Sequence, residues 1–221
     1  MGERRFNRAW RHLGVFAAAS LVLGLGATNA FGWTAVQQAT HVEYLTSIGA
    51  VAGGCAADPG ATGCPEVSTV VYLPSIVDDT DDTGYAPLAD PVATESSTAA
   101  ATNQCGVSAT RPERYVNIRS SYAIRGRASN QCFQVPGRPV IYQEVYASLE
   151  RQYLGGGWQN LDTKSARRLG AGIVTTPYAF WDCDHINLRL YRVNALGYSV
   201  IGGVGFIGVN RKYEDWTCHD L

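Results

Sequence analysis

The chain has 221 residues, of which 46% are hydrophobic and 17% charged. That suffices for one or two small cores and excludes a wholly disordered chain, a coiled coil, collagen or a polytopic membrane protein. The formal net charge is −1, yet 16 of the 18 basic residues are arginine and none lies between His12 and Thr110, so the average hides a polarised chain.

Residues 1–12 carry Arg4, Arg5, Arg8 and Arg11 against a single Glu3, and the apolar run Gly14–Ala27 follows. A basic segment ahead of a short apolar core is the pattern of an export signal, with Thr28 and Ala30 as the small residues of a cleavage site. Residues 1–30 are therefore read as a signal peptide and Phe31 as the start of the mature chain. The competing reading is an uncleaved anchor, because Leu13 to Trp33 gives 21 mostly apolar residues, just enough to span a bilayer with the arginines inside. Arg4-Arg5-Phe6 is also similar to a twin-arginine signal, without its preceding Ser or Thr. Each route leads out of the cytoplasm, so the expected location is secreted or at the cell surface. The arginine-for-lysine excess, with abundant Ala and Gly, points to a GC-rich bacterial genome.

From Phe31 to Thr110 there are nine acidic residues and no Lys or Arg; from Arg111 to Leu221 there are fourteen basic and nine acidic ones, so the halves carry −9 and +5. Such asymmetry predicts either that the halves dock or that the basic half meets an anionic partner. The expected division is an acidic, loop-rich region over 31–110 with short strands, and a β-domain over 111–221. His41–Val51 fits a helix or a strand; Val67–Leu73, β-branched and bounded by Pro65 and Pro74, predicts a short strand. Ser75–Asn103, rich in Asp, Thr, Ala and Ser, reads as a linker or a long surface excursion. Within it, Asp79, Asp81, Thr83 and Asp90 occupy positions 1, 3, 5 and 12 of a calcium loop with Gly84 at position 6. Position 12 lacks the longer Glu and Pro87 breaks an exiting helix, so the weaker claim is a metal site and the simpler one a solvated acidic linker.

Arg111, Arg114, Arg119, Arg125, Arg127 and Arg138 then set six guanidinium groups against Glu113 alone. Guanidinium planes chelate carboxylate or phosphate in a bidentate way, and interleaved Tyr115, Tyr122 and Phe133 add stacking surface for a sugar or an anionic wall polymer. The candidate binding set is Arg111, Arg114, Arg119, Arg125, Arg127, Tyr115 and Tyr122. The plainer alternative is that these arginines pair with the acidic half or solvate outward strand faces. Nucleic acid is disfavoured by export and by a net acidic mature chain.

Val145-Tyr-Ala-Ser-Leu-Glu-Arg151 alternates, with Val145, Ala147 and Leu149 on one face and Tyr146, Ser148 and Glu150 on the other, the pattern of a half-buried strand. After the Gly155-Gly-Gly157 turn, Trp158–Leu161, Tyr178–Trp181, Ile186–Val193 and Val200–Val209 are further strands. Together with Arg114–Ile118, Tyr122–Ile124 and Gln131–Val135 they form seven or eight short strands with no amphipathic helix between them, which predicts an all-β sandwich or barrel. The six cysteines Cys55, Cys64, Cys105, Cys132, Cys183 and Cys218 all follow the signal, and an even count in an exported chain predicts three disulfides. Of the possible pairings, the preferred set is Cys55–Cys64, Cys105–Cys132 and Cys183–Cys218.

The order Val145-x-Ala-x-Leu149-x-Arg151, Gly156-Gly-Trp158-x-x-Leu161, Tyr178-x-Phe180, Tyr191-Arg-Val-Asn-Ala195 and a closing Gly203–Val209 strand resembles the bacterial immunoglobulin-like or fibronectin type III-like modules of exported proteins. The resemblance spans residues 138–211 and implies an antiparallel sandwich in which the Trp after the Gly-rich turn packs inside. Asp182-Cys-Asp-His185 and the tail Glu214–Leu221 depart from that pattern, and a Cys183–Cys218 bridge would staple the tail back onto the sheet. Such modules serve as spacers, adhesive surfaces or binding accessories, so the function the resemblance implies is non-catalytic.

Two further chemistries fit the sequence less well. Cys183, His185, Cys218 and His219 supply zinc-ligating atoms, but their spacing is wrong for a zinc knuckle and exported thiols oxidise. No G-x-S-x-G, H-E-x-x-H, P-loop or dinucleotide fingerprint occurs, and Asp182 and Asp184 sit too close along one strand for a glycosidase pair. The expectation is thus an exported, disulfide-stapled all-β binding module without a cofactor, meeting an anionic cell-surface polymer or a protein. The alternatives are a small secreted hydrolase of wall polymers with its site at Asp182–His185, or a subunit of an extracellular assembly in which acidic and basic halves of different copies meet.

Overall fold

A computed structural model of the protein describes residues 35–73, 104–116, 122–154, 156–183 and 187–218. The export segment, the linker with Asp79, Asp81, Thr83 and Asp90, and the residues Arg119, Asp184, His185 and His219 lie outside them.

The open reading of His41–Val51 resolves as a helix, α1 (Ala35–Ser47). Gln38, His41, Val42 and Leu45 recur at helical spacing and are its buried residues. It stops where Gly49 adopts a left-handed φ of 76°, with Ala50 N–H donating to Leu45 C=O at 2.8 Å and Gly49 N–H to Thr46 C=O at 3.0 Å. That is a Schellman termination, which favours glycine because it carries no Cβ.

The rest of the described chain is mostly strand. One sheet has the order β1 (Thr69–Tyr72), β11 (Val204–Trp216), β10 (Arg189–Ile201), β6 (Val140–Gln152) and β7 (Trp158–Leu169). Its β1–β11 edge is parallel and its other pairs are antiparallel. Two three-stranded antiparallel sheets accompany it, β2 (Cys105–Ala109) with β5 (Ala128–Cys132) and β8 (Gly172–Thr175), and β3 (Glu113–Val116) with β4 (Tyr122–Gly126) and β9 (Ala179–Asp182). Strands from both sides of position 110 therefore share sheets, β1 with β11 and β2 with β5.

Side-chain alternation splits the large sheet into two covered faces. On one face Val145, Ala147, Leu149, Tyr191, Val193 and Ala195 meet Ala109, Ile124, Ala128, Val174 and Ala179 of the small sheets. On the other, Tyr142, Tyr146, Leu196, Tyr198, Ile207 and Val209 meet Val42 and Leu45 of α1 and the segment Ala50–Ala56. This corrects the half-buried reading of Val145–Arg151. Nine consecutive residues, Tyr142–Glu150, are buried, because α1 and the segment Ala50–Ala56 cover the face assigned to solvent.

Two strand expectations also change. Val200–Val209 is not one strand but the turn of the β10–β11 hairpin, with Gly202 and Gly203 at φ 56° and 81°. Such a two-residue turn needs positive φ at both positions, and glycine supplies it. The strands β2 and β8 carry no long apolar run and fall outside the expected set.

The three preferred disulfides are present: Cys55–Cys64, Cys105–Cys132 between paired residues of β2 and β5, and Cys183–Cys218 joining the segments after β9 and β11. These bridges are consistent with an extracellular protein. Among the described residues no helix is long and apolar enough to cross a membrane.

Candidate functional site

The sheet register divides the arginine-and-tyrosine set that the sequence offered as one surface. In the β3–β4 pair, Glu113 lies opposite Arg125 and Tyr115 opposite Ala123, whereas Arg114 lies opposite Ile124 and Val116 opposite Tyr122. Cross-strand partners share a face, so Tyr115 and Arg125 project to one side and Arg114 and Tyr122 to the other.

The side bearing Arg114 forms a seam with the end of β11. The Arg114 guanidinium lies 4.6 Å from the Tyr122 ring centre and 5.7 Å from that of Trp216, and donates to the Thr217 carbonyl at 3.3 Å. Arg111 pairs with Glu214 at 3.3 Å, and the Trp216 indole N–H donates to the Pro112 carbonyl at 2.7 Å. These contacts hold β3 onto β11.

The other side is an open ridge of alternating rings and cations. Arg125 lies 4.5 Å from the Tyr115 ring and 4.3 Å from the Tyr178 ring, and Arg127 lies 4.9 Å from Tyr178. Arg125 Nε donates to Glu113 at 2.8 Å. Arg127 is exposed, and among the described residues its guanidinium makes no hydrogen bond or ion pair. Stacking occupies the flat faces of a guanidinium and leaves its N–H fork in the plane to meet an anion. Among the described residues, Glu113 and Glu214 are acidic partners of this set, and both lie in the basic half. Arg138 lies apart, in a turn where its carbonyl accepts from Gln104 at 2.8 Å.

Of the hydrolase candidates, Asp182 is exposed at the end of β9. Zinc ligation by Cys183 and Cys218 is overturned, because both sulfurs are consumed by one disulfide. Among the described residues no cluster of three His, Cys, Asp or Glu is placed to hold a metal.

Sequence reading missed a second constellation, on the α1-covered face where Tyr146, Ser148 and Glu150 were expected to meet water. Register brings Glu150, Arg192, Asn160 and Tyr213 into one cross-strand row and Ser148, Asn194 and Arg211 into the next. The fully buried Glu150 accepts from Arg192 Nε at 2.8 Å and Nη2 at 2.6 Å on one oxygen, and from Asn194 Nδ2 at 2.7 Å on the other. Ser148 Oγ donates to Asn160 Oδ1 at 3.0 Å. Arg211 donates to Asn194 Oδ1, to the Tyr213 hydroxyl at 3.3 Å and to His41 Nδ1 at 3.1 Å. Arg192 is also stacked 3.8 Å from the Trp158 ring centre. Burial, then the charges of Arg211 and Arg192, hold the His41 pKa down to about 2, so its imidazole is neutral and accepts from Arg211 through Nδ1. Burial and the neighbouring Arg192 charge likewise lower the pKa of Arg211. The one signal in the sequence was the alternation itself, which places Ser148 and Glu150 on the same face as Tyr146.

No protein-family model matches this chain, and no curated protein is significantly similar to it.

Proposed function

We propose that this is an exported, non-catalytic binding module that meets an anionic cell-surface polymer or an acidic protein segment along the ridge Tyr115–Arg125–Tyr178–Arg127. The observation that carries this reading is the pair of guanidiniums flanking Tyr178 at 4.3 and 4.9 Å with Arg127 exposed. Rings offer faces to sugars, and the in-plane donors of the arginines offer forks to carboxylate or phosphate. Export is supported by the signal-like residues 1–30 and the three disulfides. Two small sheets laid over one face of a larger one support an elaborated immunoglobulin-like or fibronectin type III-like sandwich, to which α1 and the parallel strand β1 are additions.

The test is retention of the oxidised mature chain, residues 31–221, on an immobilised polyuronate and a polyglycerol phosphate. The expected result is binding that weakens with salt, as exposed charge contacts do, and falls about tenfold, ~1.4 kcal/mol, in Arg127→Ala. Binding unchanged in an Arg125→Ala, Arg127→Ala double variant, or absent from the wild type, refutes the assignment.

A further inference from the structure

We propose that the ridge is one end of a longer binding face, and that this face takes an extended acidic polysaccharide in which neutral sugars separate the charged ones. The inference rests on the ridge reading and adds to it the outer surface of β5 and β8.

The two small sheets act as one layer. β2 leads into β3, β4 into β5 and β8 into β9, in the same side-by-side order. Two threonines close the junction: the Thr110 hydroxyl accepts from Arg127 N–H at 3.0 Å and the Thr176 hydroxyl from Ala128 N–H at 3.1 Å. Thr110 N–H and Thr176 N–H donate in return to the Arg127 and Ala128 carbonyls, each at 2.9 Å. Alternation therefore runs unbroken from β4 into β5. Ile124, Gly126, Ala128, Asn130 and Cys132 are buried, and Arg125, Arg127, Ser129, Gln131 and Phe133 project from the opposite face. Eight strand steps of about 3.3 Å set Phe133 roughly 26 Å from Arg125, the length of several sugar rings.

The chemistry changes along that column. At the ridge, Arg125 and Arg127 flank Tyr178. Beyond it, β2, β5 and β8 contain no charged residue. Ser129 lies opposite Ser108 on one side and Thr175 on the other, whose hydroxyl it meets at 2.8 Å, and Gln131 lies opposite Ile173. Thr175 and Ile173 are exposed, and the column ends on Phe133, which is 46% exposed. Arg168 reaches this layer at its edge, where it donates to the Ile173 carbonyl at 3.3 Å.

That order of groups selects the ligand. Hydroxyls and a carboxamide both donate and accept, which suits the hydroxyl and acetamido groups of neutral sugars, and Phe133 offers a ring face at the far end as Tyr178 does at the near one. A polymer charged on every unit would lay anions over the uncharged stretch, where losing water without a cation is costly. An acidic peptide strand is held through backbone bonds at a sheet edge, whereas this surface is a sheet face and presents side chains.

The experiment titrates the folded, oxidised mature chain by calorimetry with hyaluronan oligosaccharides, alternating glucuronate and N-acetylglucosamine, from disaccharide to decasaccharide. Chitin, galacturonate and glutamate oligomers of matching length are the comparisons. Hyaluronan affinity should rise about thirtyfold from disaccharide to octasaccharide, more than a repeating chain gains by sliding over one short site, and then level off. The uncharged chitin octamer and the fully charged galacturonate and glutamate octamers should each bind about fivefold more weakly or worse. Phe133→Ala and Gln131→Ala, both outside the ridge, should each weaken the octasaccharide about fivefold. Circular dichroism and the intact-mass count of disulfides certify folding. An octasaccharide bound no more tightly than the disaccharide, or undiminished in both variants, overturns the extended face. A chitin, galacturonate or glutamate octamer bound as well as hyaluronan overturns the ligand assignment. The two readings fail separately. Octasaccharide binding that persists in the Arg125→Ala, Arg127→Ala double variant refutes the ridge, whereas binding lost there but indifferent to Phe133→Ala and Gln131→Ala keeps the ridge and removes its extension. No binding of hyaluronan overturns the extended face, and polyuronate retention then decides the ridge alone.

Discussion

Glu150 and Arg192 illustrate how a pair of charges is tolerated inside a sheet. Each would be expensive to bury alone, and the double contact to one carboxylate oxygen with Asn194 on the other supplies the missing solvation. Glu150→Gln keeps the shape but leaves Arg192 without its counter-charge, so it should lower unfolding free energy by about 3–5 kcal/mol in urea melts at pH 7. His41 sets a pH dependence beside them. Its folded pKa of about 2 lies below the ordinary 6.5, so the unfolded chain binds the extra proton between those values. Its contribution is therefore complete above pH 6.5 and lost as pH falls below it, by up to about 1.4 kcal/mol per pH unit. Urea midpoints at pH 7.5 and 5 should diverge more for the wild type than for His41→Asn. Gly54 is a third sensitive position, since an added Cβ would lie 1.5 Å from the Tyr146 hydroxyl and 2.6 Å from its ring carbon. Gly54→Ala should cost about 1–3 kcal/mol, and Tyr146→Phe, which deletes the nearer atom, should recover part of that in a thermal melt.

At the scale of elements, the small β2-β5-β8 sheet sits close on the large one because glycine leaves room for it. Gly197 and Gly208 are cross-strand partners in β10 and β11, and a Cβ on either would approach Val107 Cγ2, at 2.3 Å and 3.2 Å. Gly197→Ala also meets Asn130 at 3.1 Å, so the sheets must separate or Val107 must leave its rotamer. The expected outcome is a loss of about 1–3 kcal/mol, partly restored by Val107→Ala, measured as a double-mutant cycle. Strand existence was largely legible here, as Val67–Leu73, Tyr122–Ile124 and Tyr178–Trp181 contain or adjoin β1, β4 and β9. Strand length was not. The Gly202-Gly203 turn hides inside an apolar run, and β7 continues through Thr163–Arg168, polar residues apart from Ala166 that are held by pairing with β6.

For the whole molecule, the disulfides tie together parts distant in sequence, and Cys55, Cys105 and Cys132 are themselves buried members of the hydrophobic cores. Cys183–Cys218 closes a separation of 35 residues and Cys105–Cys132 one of 27, and loop entropy assigns each about 3–4 kcal/mol. Reduction under native conditions should lower the denaturant midpoint sharply, and Cys183→Ala, Cys218→Ala together should account for roughly a third to a half of that loss by chain-entropy reckoning. The visible ion pairs Arg111–Glu214 and Arg125–Glu113 lie within the basic half and are partly exposed, so they contribute little to stability. Among the described residues, helix α1 contributes to the fold mainly as a cover, enclosing the face that holds Glu150, Arg192 and Arg211.

Composition and local pattern by themselves determined the mostly-β character, the even cysteine count that predicts three bridges and the alternation that puts Ser148 and Glu150 on one side of their strand. Those properties depend on neighbours in sequence or on short loops, which a linear reading can reach. Only tertiary structure decided what each side meets. Register separated Arg114 and Tyr122 from Arg125 and Tyr115, and a helix more than a hundred positions earlier buried Glu150. A strand's period of two residues assigns a side chain to a face, but burial is a property of whatever packs upon that face, and nothing local encodes it.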